Sequence, residues 1–164
     1  MTNTQSVPNP ETTFEARSDL AGRLCLDFGA DQGHLRRLAQ AIGDFALEKG
    51  WSKRIAMQVD LVLEELVLNI ISYGYHDHRP GRVNILIRQA DDDILIRLED
   101  DGDAFDPFSR PSPDITTSIE DRAIGGLGIH FVREFMDEFQ YNRVGDINRV
   151  DLLKHLHSSV SDHF

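Results

Sequence analysis

A change in the spacing of apolar residues near residue 80 constrains the fold more than any other feature of the chain. Before it, apolar side chains recur three and four residues apart over about 32–49, and again from Ser52 to about Tyr73, which is the spacing of helices. After it, apolar residues alternate with others over 83–87 and 94–98, the pattern of an antiparallel hairpin with one buried face. A chain that changes period in this way combines helices with a sheet.

The remaining segments extend this pattern into an α+β arrangement. Residues 20–28 predict a first strand, a glycine-rich turn at 125–128 opens a helix that runs to about Glu138, and 139–144 and 147–156 predict two more strands. The predicted order is strand, two helices, two strands, loop, helix, two strands. It indicates a two-layer α/β sandwich in which helices cover one face of a mostly antiparallel sheet.

Two segments have no apolar period. Residues 1–17 are polar and predict a flexible N-terminal leader, whereas 18–164 contains no linker and is interpreted as a single domain. Inside that domain, residues 106–124 carry Pro107, Pro111 and Pro113 without periodic apolar positions. A loop of this length within a compact domain is usually either a functional lid or disordered.

Composition and charge exclude several classes of function. The chain has 17 Lys and Arg against 28 Asp and Glu, and its formal net charge of −11 disfavours binding to nucleic acid or to an anionic membrane surface. Cys25 is the single cysteine, so the chain can form neither an internal disulfide nor a cysteine-based zinc site. The N-terminus lacks a signal peptide and no stretch is apolar enough to span a bilayer, so we expect a cytoplasmic protein with no membrane segment.

The second predicted helix carries a narrow polar stripe on an otherwise apolar surface. Glu65, Asn69 and Ser72 fall within about 60° of one another around the helix axis, while most other positions from 59 to 71 are apolar. A buried carboxylate and amide need partners. Either they bond to the protein's own backbone, or they form a site in which a carboxylate acts as general base and an amide oxygen binds Mg²⁺.

Asp100 and a glycine-rich helix start are the other candidate functional positions. Asp100 shares the parity of the apolar residues of its strand, so it is expected to point toward the helices, and Gly102 and Ala104 after it let a ligand approach the backbone. An acidic turn is the alternative, and a calcium loop is excluded because its first ligand position would be Arg97. The run Gly126-Leu127-Gly128 favours an anion at a helix N-terminus, but its spacing matches neither the dinucleotide-binding fingerprint nor a P-loop.

Taken in order, three motifs resemble the N box and the two glycine boxes of the gyrase/histidine-kinase/MutL (GHKL) ATPase superfamily, and above all its anti-sigma-factor serine/threonine kinase branch. They are Glu65-x-x-x-Asn69, Asp100-x-Gly102-x-Ala104 and Gly126-Leu127-Gly128. The resemblance extends from about Leu24 to Lys154. It implies the histidine-kinase-type ATPase fold.

The resemblance also implies a role for each matching position. Glu65 would be the base that deprotonates an attacking hydroxyl, Asn69 would bind Mg²⁺ between the phosphates, and Asp100 would accept a hydrogen bond from the adenine amino group. The segment 106–124 would be the ATP lid. The positions that would contact ATP are Asn69, Asp100, Gly102, Ala104, Gly126, Leu127 and Gly128.

The partners implied by the branch are proteins. Its members bind a sigma factor, phosphorylate a serine or threonine of an anti-anti-sigma protein of the STAS fold, and form homodimers. The alternative that stays open is a binding module, in which ATP orders the lid and gates partner binding without phosphate transfer. This chain departs from the family pattern at Tyr73, where many relatives carry His, at Ala104, which replaces a glycine, and at Asn148-Arg149, where a Gly-Thr pair is frequent.

Overall fold

The computed structural model describes residues 13–109 and 126–157, and of 126–128 it describes only the helical backbone. Within these residues the chain forms six strands and three α-helices, with a single 3₁₀ turn at Gln32–His34 before the first helix. The elements are β1 Phe14–Ser18, β2 Leu24–Gly29, α1 Leu35–Lys49, α2 Lys53–Tyr73, β3 Arg82–Ala90, β4 Asp93–Asp100, α3 Gly126–Phe135, β5 Glu138–Val144 and β6 Ile147–His155.

The strands form one antiparallel sheet in the order β1-β2-β3-β4-β6-β5. Alternate residues of its central strands point to one face and are buried with the apolar residues of the helices. The other face carries cross-strand ion pairs, such as Arg97 with Asp151 at 2.7 Å and Arg149 with Glu99 at 2.6 Å. The predicted α+β sandwich with helices on one face is therefore confirmed.

Local signals account for the two long helices. Gly50 ends α1 with a φ of 72°, a left-handed conformation that glycine adopts without strain. Ser52 begins α2, since its Oγ accepts a hydrogen bond from the Ile55 N–H at 3.2 Å. The helix α2 then buries one side against the sheet, through Val59, Val62, Leu63, Leu66 and Val67. No helix in the described part of the chain is long and apolar enough to cross a membrane.

The flexible leader predicted for residues 1–17 was wrong for its last four residues, which form part of a strand. Residues 14–17 belong to β1, which pairs with β2 so that Phe14 lies opposite Phe28 with the two rings 5.2 Å apart. With Phe14 and Ala16 as its two apolar residues, this edge strand of five residues is too short for its alternation to be recognised from sequence. The predicted first strand also begins later than expected, at Leu24, because Asp19 Oδ1 accepts hydrogen bonds from the backbone of Ala21 and Arg23 and forms a turn there.

The third helix ends earlier than its apolar spacing predicted. It stops at Phe135, and Glu138 is already the first residue of β5. The buried ammonium of Lys154 on β6 donates a hydrogen bond to the Phe135 carbonyl at 2.7 Å, which satisfies a backbone acceptor at the helix C-terminus.

Strand register places one polar pair, Asp100 and Asn148, side by side at the end of β4. Asp100 is the last residue of β4, with Val83 of β3 on one side and Asn148 of β6 on the other. It has the same parity as the buried Ile96 and Leu98, so its side chain lies on the helix-covered face, as the sequence predicted.

Candidate active site

A pocket lies between the C-terminal half of α2 and the sheet at the end of β4. Its empty space, counted out to its mouth, is about 390 Å³. Its wall is mixed, with apolar side chains on both layers and several polar side chains among them. The residues that matter for its chemistry are Leu66, Asn69, Asp100, Phe105, Tyr141 and Asn148.

Asp100 is the buried acid of this pocket, with 6% of its surface exposed. Its Oδ1 accepts two hydrogen bonds, from the Gly102 N–H and from Asn148 Nδ2, each at 2.9 Å. Burial raises the pKa of the carboxyl, and the hydrogen bonds from Asn148 and Gly102 oppose that shift. Since Oδ2 accepts no hydrogen bond from the described residues, it is the oxygen left for a ligand.

Gly102 allows the turn after β4 to lie against the end of α2. A Cβ at this position would lie 2.8 Å from Asp100 Oδ1 and 2.9 Å from the Gly74 carbonyl oxygen, so a side chain does not fit. The same carbonyl accepts a hydrogen bond from the Asp103 N–H at 2.8 Å. The turn that carries Asp100 is thereby fixed to the helix that carries Asn69. Ala104, which the sequence predicted at the site, is exposed on the same turn.

The three residues of the polar stripe on α2 differ in how deeply they are buried. Asn69 is 4% exposed and lines the pocket, Glu65 is half-buried one turn earlier, and Ser72 is exposed. Burial raises the pKa of Glu65, and the nearby charge of Glu64 adds to the effect. A carboxyl with a raised pKa is a stronger base once it has lost its proton.

Whether the pocket could hold a metal ion depends first on Asn69. Its Nδ2 is buried and has no hydrogen-bond partner among the described residues, so the protein alone does not satisfy this amide. In the same part of the chain, no group of three His, Cys, Asp or Glu side chains could hold a metal ion. Mg²⁺ usually takes one or two protein oxygens and completes its shell with phosphate oxygens and water. The Nδ2 group is a hydrogen-bond donor that suits a phosphate oxygen, and the amide oxygen of Asn69 is the atom that could bind a Mg²⁺ ion arriving with a nucleotide.

Asn148 and Tyr141 are pocket residues whose contribution the sequence did not predict. Asn148 is 5% exposed, donates to Asp100, and accepts a hydrogen bond from the Tyr141 hydroxyl at 2.7 Å. A signal was present, because Asn148 has the parity of the buried Val150 and Leu152 on β6. A polar residue at an apolar position of a strand is a candidate site residue.

A second hydrogen-bond network, centred on Asp101, holds the turn that follows β4. Asp101 Oδ1 accepts from the Tyr75 hydroxyl at 2.7 Å and from the Arg82 N–H at 2.9 Å, and Arg79 Nη2 donates to the Asp101 carbonyl at 2.6 Å. Burial and the hydrogen bond with Asp101 raise the pKa of Tyr75. The segment between α2 and β3 is therefore bound to the same turn as Asp100.

The second glycine box is described only in part. Gly126, Leu127 and Gly128 form the first turn of α3. Gly125 and the part of the predicted lid from 110 to 124 lie outside the described residues. At the near end of that segment, Pro107 is buried and lines the pocket.

Comparison with known proteins assigns this arrangement to a family. The profile of the histidine kinase-like ATPase domain matches residues 28–154, which include the strands, helices and pocket described above. The chain belongs to this family. Because the family is one of ATPase domains, membership implies that the chain uses ATP. The resemblance to the anti-sigma-factor kinase branch is confirmed by the curated relatives.

Two of those relatives indicate the branch. The chain is 30% identical over 110 residues to the serine/threonine-protein kinase BtrW of Bordetella bronchiseptica, an alignment that covers 67% of this chain and 78% of that protein. It is 33% identical over 82 residues to the anti-sigma F factor of Clostridium novyi, covering 50% of this chain and 57% of the relative. The chain thus spans little more than half the length of the second protein.

A solved structure supports the fold alone. The blue-light activated histidine kinase of Erythrobacter litoralis EL346 superposes with a TM-score of 0.51 at 17% sequence identity, covering 76% of this chain and 41% of that one.

Proposed function

We propose that the protein is a Mg²⁺-ATP-dependent serine/threonine kinase that phosphorylates an anti-anti-sigma protein of the STAS fold and binds a sigma factor. One observation carries the proposal. Asp100, whose Oδ2 accepts no hydrogen bond from the described residues, and Asn69, whose buried Nδ2 has no partner among them, line the same pocket at the junction of α2 and β4. Asp100 Oδ2 is left for a hydrogen-bond donor of a ligand. Asn69 Nδ2 is left for an acceptor, such as a phosphate oxygen.

The pocket residues would divide the binding of the nucleotide between them. Asp100 Oδ2 would accept a hydrogen bond from the adenine amino group, and the missing side chain at Gly102 leaves the turn close to the base. Asn69 would contribute its amide oxygen to Mg²⁺. The backbone N–H groups of the first turn of α3, at Gly126, Leu127 and Gly128, would face the phosphates. Bound Mg²⁺-ATP supplies the phosphoryl group and a cation that offsets its negative charge.

Glu65 would act on the protein substrate. It lies one helical turn before Asn69, so the two side chains project from the same side of α2. Its half-buried position and raised pKa suit a base that takes the proton of a serine or threonine hydroxyl as that oxygen attacks the γ-phosphorus of ATP and ADP leaves. Residues 106–124 would form the lid. Ala104 would lie near the adenine base, at the exposed edge of the turn after β4.

The relatives and the charge of the chain support the choice of partners. One relative is named a serine/threonine-protein kinase and another an anti-sigma F factor. Phosphorylation adds about −1.5 to −2 charges to a partner, and next to a protein of net charge −11 such a product would be repelled and released. We further propose a cytoplasmic location, because a sigma-factor antagonist must meet its target where transcription occurs. The homodimer is proposed from the resemblance to the anti-sigma-factor kinase branch alone.

Replacement of the two neighbouring glutamates of α2 tests the kinase proposal. The full chain and its Glu65→Gln and Glu64→Gln variants are incubated with radiolabelled ATP, Mg²⁺ and STAS-fold proteins encoded in the same genome, and ATP binding is measured by calorimetry. Glu65→Gln should bind ATP like the wild type but transfer phosphate about 10²–10⁴-fold more slowly, because only the base is lost. Glu64→Gln, the matched control, should leave transfer within a few-fold.

The possible outcomes separate the two functions under consideration. Unchanged transfer in Glu65→Gln would remove this residue from the mechanism. Mg²⁺-dependent ATP binding by the wild type, with no phosphate transferred to any STAS-fold protein, would favour the ATP-gated binding module over the kinase.

A further inference from the structure

Asp100 presents one carboxylate oxygen to the pocket rather than two. A carboxylate oxygen has about two sites at which it accepts hydrogen bonds. On Oδ1 these sites are taken by the Gly102 N–H and by Asn148 Nδ2, both at 2.9 Å. Oδ2 has no hydrogen bond to any described residue, so a ligand meets a carboxylate of which only half is available.

The orientation of the Asn148 side chain is determined on both sides. Its Oδ1 accepts from the Tyr141 hydroxyl at 2.7 Å and from the Phe105 N–H at 3.3 Å. Its Nδ2 donates to Asp100 and also to the Asp103 carbonyl at 2.8 Å. Rotation of the amide by half a turn would bring donors against donors and oxygens against oxygens, so the amide has a single favourable orientation.

The two purine bases differ in what they require from such a carboxylate. The Watson–Crick edge of adenine offers one donor, its amino group, next to a ring-nitrogen acceptor. That of guanine offers two adjacent donors, the N1–H and the 2-amino group, next to a carbonyl oxygen. Two adjacent donors pair well with a carboxylate whose two oxygens are both free, in the bidentate manner that makes such contacts strong. One free oxygen pairs well with one donor only, because two parallel N–H bonds cannot both point at a single atom in good geometry.

Building on the proposed function, we propose that Asn148 is a specificity-determining residue that makes the pocket select adenine over guanine. It does so by occupying Oδ1 of Asp100, so that guanine would leave one of its two donors without a partner. Tyr141 acts one step further away, as a positioning residue that holds the Asn148 amide in the required orientation. A buried donor without a partner is costly, which is why a polar contact can discriminate strongly between similar ligands.

The test measures the dissociation constants of ATP and GTP, with Mg²⁺, for the full chain and three variants. Asn148→Ala frees one acceptor site on Asp100, and Tyr141→Phe removes only the hydroxyl that orients Asn148. Asn142→Ala is the matched control, because Asn142 is an exposed asparagine on the adjacent strand β5. Circular dichroism and thermal melting verify that each variant is folded.

The readout is the ratio of the two dissociation constants, since a loss of folding or of the pocket as a whole weakens both nucleotides together. We expect the wild type to prefer ATP, Asn148→Ala to lower that preference by about tenfold to a hundredfold, and Tyr141→Phe to lower it by about two- to tenfold. Asn142→Ala should keep the wild-type ratio.

Two results would overturn the assignment of Asn148. One is a folded Asn148→Ala variant that keeps the wild-type ratio, even if both affinities fall. The other, which decides the matter if Asn148→Ala does not fold, is an unchanged ratio in Tyr141→Phe. Failure of the wild type to bind either nucleotide is a different result, because it would refute ATP binding and the proposed function together with the selectivity built on it.

Discussion

A methyl group added at Gly102 should destabilise the protein, whereas the same change at Gly43 should stabilise it. The Cβ of Gly102→Ala would lie 2.8 Å from Asp100 Oδ1, 2.9 Å from the Gly74 carbonyl oxygen and 3.1 Å from the Gly74 Cα. At Gly43, in the interior of α1, an added Cβ has no such neighbour within 4 Å among the described residues. The two substitutions are chemically identical and differ only in their surroundings.

The expected magnitudes follow from these contacts. A carbon and an oxygen in contact are normally separated by about 3.3 Å or more, so the neighbours of Gly102→Ala must move by about half an ångström. Overpacking of this kind costs about 1–3 kcal/mol. We expect the upper part of that range, about 2–3 kcal/mol, because the atom that must move is Asp100 Oδ1, which accepts two hydrogen bonds in a buried position. Gly43→Ala should instead gain about 0.5–1 kcal/mol from the higher helix propensity of alanine.

Thermal and urea unfolding measure both effects. The fluorescence of Trp51, the single tryptophan of the chain, reports on the junction between α1 and α2, and far-ultraviolet circular dichroism reports on the whole fold. For a chain of this size, Gly102→Ala should lower Tm by about 4–12 °C and Gly43→Ala should raise it by about 1–4 °C. A Gly102→Ala protein as stable as the wild type would refute the close packing of the β4 turn against the end of α2.

Two further predictions concern other positions on α2. Asp60 Oδ1 is buried without a partner among the described residues, and burial, with the charge of Glu64, raises the pKa of the Asp60 carboxyl. Because its folded-state pKa lies above the unfolded value, ionised Asp60 destabilises the fold at neutral pH, and this penalty disappears as the pH falls below about 3.9. Asp60→Asn should therefore raise Tm more at pH 7 than at pH 4, and an equal change at both values would contradict the prediction. Ser52→Ala should lower stability by about 0.5–2 kcal/mol in urea unfolding, since it removes the acceptor for the Ile55 N–H, and no loss would show that this cap contributes nothing.

The parts of the fold that sequence predicted are those determined by local patterns. The bounds of α2 follow from Ser52 and from the apolar spacing after it. The hairpin of β3 and β4 follows from strict alternation on both sides of a two-residue turn, and the inward direction of Asp100 follows from parity along β4. Each of these features depends on residues within one turn or one strand, so the sequence contains the whole signal.

The parts of the fold and of the site that the sequence did not predict depend on residues far apart in the chain. Asn148 contacts Asp100 only because β6 pairs with β4 in a register that places the two residues opposite each other. Nothing within five residues of either position indicates that pairing. The short strand β1 was missed for the same reason, because its place is determined by pairing with β2 rather than by its own pattern.

Two polar groups that line the pocket have incomplete hydrogen bonds among the described residues. The apolar positions around it, such as Leu66 and Leu98, are packed and almost fully buried. Asn69 has a buried amide nitrogen with no partner, and Asp100 has a carboxylate oxygen that accepts nothing from the described residues. Isolated polar groups of this kind cost free energy of folding, so a core selected for stability alone would replace them with apolar side chains. They lie on two different layers, on α2 and β4, and both line the same space. A ligand that bonds to both groups would therefore offset a cost already present in the folded protein, which is the physical reason to assign binding to this pocket rather than to the ion-paired outer face of the sheet.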